Sequence, residues 1–170
     1  MLKQVQILVL AVGFAMALPA CYKFTGISVD PRVTTFSVIT FENQATNAPP
    51  TLAVDFTEKL KDKVRTETRL KLKNGEPDVA FSGDIMDFRV VPVAPKPGEF
   101  VALNRLEIRI KVKYINNIDP KKGWPDAGKD FSFFQEFSSD KDLLTIQNTL
   151  IEDITKQLLE DIFNAAFNDW

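Results

Sequence analysis

Residues 101–114 read Val-Ala-Leu-Asn-Arg-Leu-Glu-Ile-Arg-Ile-Lys-Val-Lys-Tyr, and their alternation decides the fold. Ala102, Leu106, Ile108, Ile110, Val112 and Tyr114 fall on one parity, and Arg105, Glu107, Arg109, Lys111 and Lys113 on the other. Successive side chains of a strand point to opposite faces, so this strand has one packed and one wet face. A sheet built this way needs a cover on its apolar side only.

Working outward, Ala94–Glu99 (Ala-Pro-Lys-Pro-Gly-Glu) is turn chemistry, so the segment before it forms a hairpin with the strand above. That segment, Val79–Val93, changes phase: Val79, Phe81 and Ile85 are apolar on odd numbers, Phe88 and Val90 on even ones. A phase change needs one extra residue, which predicts a β-bulge between Gly83 and Asp87. On the other side, Asn116–Asp130 is a long polar loop with Pro120, Gly123, Pro125 and Gly128, and its Trp124 has no evident core role. Phe131–Phe137 is the third strand of the meander, with Phe131, Phe133 and Phe137 on one side.

Two amphipathic helices can supply the cover. Leu52, Phe56, Leu60 and Val64 recur every four residues after Pro49-Pro50, with Thr51 as the capping residue and an end near Thr66. The second runs from about Asp142 to Asn168, opened by Ser139-Asp140-Lys141-Asp142 as a Ser-x-x-Asp start. Its stripe is Leu143, Ile146, Leu150, Ile151, Ile154, Leu158, Ile162 and Ala166, and Leu159, Phe163, Phe167 and Trp170 widen the arc, as extra core or as a partner contact. Thr34–Phe41 reads as a strand that joins the sheet in parallel through the first helix, and Arg69–Lys73 as a short strand before the Asn74-Gly75 turn. The expected fold is α+β: a mixed, mainly antiparallel sheet of four to five strands with two helices packed on one face.

The N-terminus carries an address. Lys3 precedes an apolar run from Val5 to Leu18, and the stretch closes on Leu18-Pro19-Ala20-Cys21. A cationic head, an apolar segment and small residues make a secretory signal peptide. The run is shorter than the roughly 20 apolar residues of a membrane-spanning helix. A Leu-x-Ala-Cys ending resembles the lipobox of bacterial lipoproteins, whose Cys is acylated and becomes the first mature residue. The organisation expected is a signal peptide over 1–20, a lipidated tether over 21–33 and one α+β domain over 34–170. Lipidation falls on Cys21, the sole cysteine of the chain.

Composition narrows the function. The formal charge is −2 from 21 basic and 23 acidic residues, which gives no argument for nucleic acid. One cysteine excludes an internal disulfide. The absence of histidine removes His metal ligands, Ser-His-Asp and Cys-His catalysis and the usual pH switch. No Gly-rich phosphate loop or nucleophile elbow occurs, and the pairs Glu152-Asp153 and Glu160-Asp161 sit on the polar side of a helix. The reading is therefore no enzyme, no metal and no cofactor. Fourteen Phe against two Tyr and two Trp point to a Phe-rich core.

One surface pattern invites a ligand. Arg105, Arg109, Lys111 and Lys113 share a strand face, interrupted by Glu107, over about 25 Å at the usual strand rise. They form either a track for an anionic lipid headgroup or phosphate-bearing glycolipid, or a sheet face that Lys and Arg keep soluble. Lys96, Lys121 and Lys122 on the loops are a second basic group.

Taken in order, several segments carry a family resemblance: Leu-Pro-Ala-Cys21 and Tyr22-Lys23-Phe24-Thr25-Gly26, Thr35-Phe36-Ser37-Val38, Leu52-x-x-x-Phe56-Thr57-Glu58-x-Leu60-Lys61-Asp62-Lys63, and Thr68-Arg69-Leu70. They continue through Phe81-x-Gly83-x-Ile85, Asn104-Arg105-Leu106, Lys111-Val112-Lys113-Tyr114 with Asn116-Asn117, Leu150-Ile151-Glu152-Asp153-Ile154, Gln157-Leu158-x-Glu160-Asp161-Ile162-Phe163-Asn164 and Trp170. The chain resembles the LptE family of LPS-assembly lipoproteins. The resemblance implies a small α+β lipoprotein on the periplasmic side of the outer membrane, held by lipid on Cys21. It implies a plug in the LptD-type β-barrel that helps the barrel assemble and takes part in lipopolysaccharide transport, with lipopolysaccharide itself as a further ligand. The rival readings are a pilotin or auxiliary lipoprotein of another envelope secretion or lipid-transport complex, and a lipid carrier, which would need a Phe-lined pocket between meander and helices.

Overall fold

The computed structural model describes residues 29–94 and 102–168. Cys21 and the signal segment, Lys96 and most of the Ala94–Glu99 turn, and Trp170 lie outside the described residues.

Among the described residues six strands and two α-helices follow in the order β1 (Thr35–Val38), β2 (Glu42–Asn43), α1 (Leu52–Glu67), β3 (Lys71–Leu72), β4 (Val79–Val93), β5 (Leu103–Asn116), β6 (Lys129–Ser138) and α2 (Leu143–Phe167). The sheet order is β3-β1-β4-β5-β6, with β2 also on β4. β1 pairs with β4 in parallel across the α1 crossover, β1 with β3 in parallel, and β4-β5-β6 form the antiparallel meander. The mixed sheet and the two helices are as the sequence predicts, with β2 an added two-residue strand inside the polar loop before α1.

The bulge falls where the phase change places it. Ile85 faces Ile110 and Asp87 faces Arg109, so Met86 is the extra residue. Val79, Phe81 and Ile85 before it and Phe88 after it are all buried on the same side; Val90, the next even position, is 40% exposed because the helices do not reach it. Gly83 in this stretch leaves no room for a side chain: a Cβ there would sit 2.2 Å from the Lys111 carbonyl oxygen and 2.7 Å from the Phe41 ring.

Both helix starts differ in detail from the sequence reading. Thr51 occupies the cap position of α1, but its φ of −81° and ψ of −16° are already helical and its hydroxyl makes no capping bond. At α2 the cap is Asp142, whose carboxylate accepts from the Leu144 amide at 3.2 Å. Ser139 cannot open that helix because its amide extends the sheet ladder to the Ala102 carbonyl at 2.9 Å.

The core lies between one sheet face and both helices. Phe36, Phe56, Phe81 and Phe163 are fully buried with Leu60, Ile108, Ile110, Ile154, Leu158 and Ile162. Leu159, Phe163 and Phe167 are buried too, so the widened arc of α2 is core, with Phe163 and Phe167 ring centroids 5.0 Å apart. Trp124 also has a core role: it packs between Tyr114 at 5.5 Å and Phe131 at 5.4 Å. Rings in such offset and tilted contacts gain about 0.5–1.5 kcal/mol beyond their buried area. Thr57 is the polar tie inside, donating to the Ala53 carbonyl at 2.7 Å and accepting from the Phe41 amide at 3.0 Å. Lys63 joins the helices, bonded to Glu160 at 2.6 Å and Glu67 at 2.7 Å across the Phe163 ring.

Candidate functional site

The face of the meander away from the helices is the candidate site, because it holds the cation row. The register assigns its members. From β4 come Asp84, Asp87, Arg89 and Val91; from β5 Leu103, Arg105, Glu107, Arg109, Lys111 and Lys113; from β6 Asp130, Ser132, Phe134 and Glu136. Arg105, Arg109, Lys111 and Lys113 do share one face, as their spacing predicts. What the sequence reading lacked is the neighbouring strands: Asp84 and Asp87 on one side and Asp130 and Glu136 on the other stand beside those cations.

The face is therefore an interleaved mixture of both signs. Arg105 bonds Glu136 at 2.7 Å and lies 3.7 Å over the Phe134 ring. Arg89 reaches Glu107 at 3.1 Å and Asp87 at 3.3 Å. Glu107 and Asp87 hold the Arg89 guanidinium above its ordinary pKa, with the hydrogen bond it donates to Glu107 the main cause. Arg109 and Lys111 share Asp130 at 3.9 and 4.0 Å, beyond hydrogen-bond reach. Lys113 is exposed and makes no ion pair among the described residues. Exposed pairs of this kind are worth roughly 0–1 kcal/mol each. They set the pattern of the face more than its stability.

The hairpin end of the face is partly apolar. A shallow cavity of about 490 Å³ there is lined by Val91, Pro92, Val93 and Ala94 together with Arg89, Arg105 and Glu107. A second groove, of about 340 Å³, runs between the helices beside Asp55, Lys59, Asn148 and Glu152. A third, open cleft of about 500 Å³ lies between the ends of β5 and β6 and the start of α2, with Leu103, Phe137, Ile146 and Leu150 in its lining. None of the three is the Phe-lined pocket a lipid carrier would need: Phe137 is the one ring in that cleft, and the large rings under the helices are packed against one another. Among the described residues no group of three acidic or Cys side chains could hold a metal ion. No helix among them is long and apolar enough to cross a membrane.

A family model described as LptE, lipopolysaccharide-assembly, matches residues 33–166, which spans every strand and both helices almost to their ends. The chain belongs to the LptE family. LptE proteins are non-enzymatic, envelope-associated lipoproteins. The LptE match begins after Cys21 and includes the whole mixed-charge face. The solution structure of lipoprotein B from Nitrosomonas europaea is similar to this LptE chain at 11% identity and a TM-score of 0.52, over 77% of this chain and 80% of that one. A neuraminyllactose-binding hemagglutinin homolog from Helicobacter pylori is similar at 7% identity and a TM-score of 0.55, over 86% and 92%. At such identities these structures support the fold of this LptE protein alone. No curated protein sequence matches the chain.

Proposed function

We propose that this protein is a non-enzymatic outer-membrane lipoprotein that seats as a plug in the lumen of the LptD-type lipopolysaccharide-assembly barrel, assists the barrel's assembly and takes part in lipopolysaccharide transport to the cell surface. The observation that carries this reading is the family match across residues 33–166, nearly the whole folded domain. Residues 1–20 act as the signal peptide, residue 21 carries the lipid and the chain to residue 33 is the tether. The anchor lies on the periplasmic side.

The physics supports a plug. The interior of a membrane barrel is polar, and the open face offers a near-balanced set of guanidinium, ammonium and carboxylate groups to it. Lys113, which holds no carboxylate among the described residues, and the pair Arg109 and Lys111, which share Asp130 loosely, are the cations most open to a phosphate; with Arg105 they make up the proposed lipopolysaccharide contact. Arg offers a bidentate fork there, Lys a point charge.

Two measurements test the reading. Gentle detergent extraction should recover the chain with a large β-barrel protein; recovery alone, or with an inner-membrane transporter, rejects the plug. Metabolic labelling with a fatty acid should mark the wild type and not Cys21→Ser, and equal labelling rejects the anchor.

A further inference from the structure

β6 ends the sheet, and among the described residues no strand pairs with its far side. The direction of its backbone groups follows from the register. The Ser139 amide bonds the Ala102 carbonyl, and this pair continues the ladder in which Leu103 faces Ser138. Hydrogen-bonded and non-hydrogen-bonded pairs alternate along an antiparallel ladder. Phe131, Phe133, Gln135 and Phe137 therefore turn their N–H and C=O groups toward β5. Asp130, Ser132, Phe134 and Glu136 turn theirs outward.

Exposed edges are usually kept short, bent by a bulge or broken by proline. The opposite edge obeys this rule, since β3 is two residues long. β6 is guarded by charge alone, at Lys129, Asp130 and Glu136: it has ten residues without Pro or Gly and pairs with β5 with no shift of register. Four outward donor–acceptor sets stand in one row.

The side chains specify the occupant. On the helix side Phe131 and Phe133 are only half-buried at this edge. On the open side Asp130 and Glu136, 52% and 37% exposed, flank Phe134; Arg105 takes one oxygen of Glu136, and Arg109 and Lys111 stand off from Asp130 at 3.9 and 4.0 Å, so each carboxylate keeps an acceptor for a further cation. A strand laid beside β6 meets apolar rings on one face and carboxylates on the other. We infer that the β6 edge is a strand-addition site for an extended segment of a partner protein with Lys or Arg at alternate positions and apolar residues between them. This goes beyond the plug reading, and its test needs no barrel.

The full-length chain in detergent is mixed with the end-capped peptide Lys-Val-Lys-Val-Lys-Val-Lys, and amide hydrogen exchange is read by NMR. The amides of Asp130, Ser132, Phe134 and Glu136 should slow about tenfold or more, whereas those of Phe133 and Gln135, already in the ladder, should not change. The peptide N-methylated at its lysines, which removes the donors that face β6, should give no protection, and a Glu-Val peptide of equal length should give less. Ser132→Ala should keep the effect. Ser132→Pro should abolish it, because its amide faces outward and its loss spares the β5 ladder. No slowing with the Lys-Val peptide overturns the inference, as does equal slowing with the N-methylated or Glu-Val peptide or retention in Ser132→Pro.

Discussion

Gly83 is a position where one methyl group is enough to damage the sheet. Its missing Cβ would fall 2.2 Å from the Lys111 carbonyl oxygen, a backbone atom that cannot rotate aside. Gly83→Ala should cost about 1–3 kcal/mol, as overpacking does, read as a lower urea midpoint; an unchanged midpoint would mean that β4 and β5 approach less closely there. Asp78 works in the other direction, by electrostatics. Its carboxylate accepts from the Thr34 amide at 2.8 Å, the Thr34 hydroxyl and the Thr35 amide at 2.9 Å, which together lower its pKa to about 2, the Thr34 amide contributing most. A depressed carboxylate pKa stabilises the fold above the unfolded value near 3.9, and that stabilisation is lost as pH falls toward 2. The stability gap between wild type and Asp78→Asn should be constant from pH 7 to 5 and close between pH 4 and 2. A gap that persists at pH 2 would count against the carboxylate as its source. Neither role was legible in the sequence, since Gly83 and Asp78 take their meaning from residues 28 and 44 positions away.

At the scale of elements, periodicity carried most of the information. The stripe of α1 and the two faces of β5 are local patterns, and both stand in the fold as read. The bulge was legible as well, and it matters more than its single residue suggests. Were Met86 paired as an ordinary strand residue instead of bulging, the parity of β4 would not change, and Asp87 would share the core face with Ile85 instead of standing beside Arg109. What the sequence could not supply was pairing. Carboxylates on β4 and β6 neutralise the cation row only through a register fixed by the whole meander, and Trp124 found its ring partners across a loop. α2 allows a direct test of where its wide apolar arc points. Phe163 is 1% exposed and Leu144 80% exposed on the same helix. Phe163→Ala should lose about 3–5 kcal/mol of stability in the isolated chain, and Leu144→Ala less than about 0.5. Thermal or urea unfolding of both variants decides it: a small loss at Phe163 would return that ring to a partner.

The whole molecule has two unlike ends. Val29 and Asp30, where the described chain begins, lie by Tyr114, Asn116, Lys122 and Phe167, at the foot of β5 and the close of α2. The β4–β5 hairpin then runs 14 residues from Asn116 to Leu103, about 46 Å at strand rise. Cys21, the proposed lipid site, is eight residues from Val29, a reach of at most about 28 Å. An anchored domain is thus held by one end, with the hairpin end and its apolar rim free to project from the bilayer into a partner. Because acylation would occupy the sole thiol, a second cysteine can carry a unique fluorophore. In vesicles containing acceptor-labelled lipid, energy transfer from a donor at Lys121→Cys, beside the anchored end, should exceed that from Ala94→Cys at the hairpin by twofold or more, averaged over orientations. Equal transfer from both sites would mean that the domain lies flat on the membrane, a pose in which the open face meets headgroups and cannot line up inside a barrel.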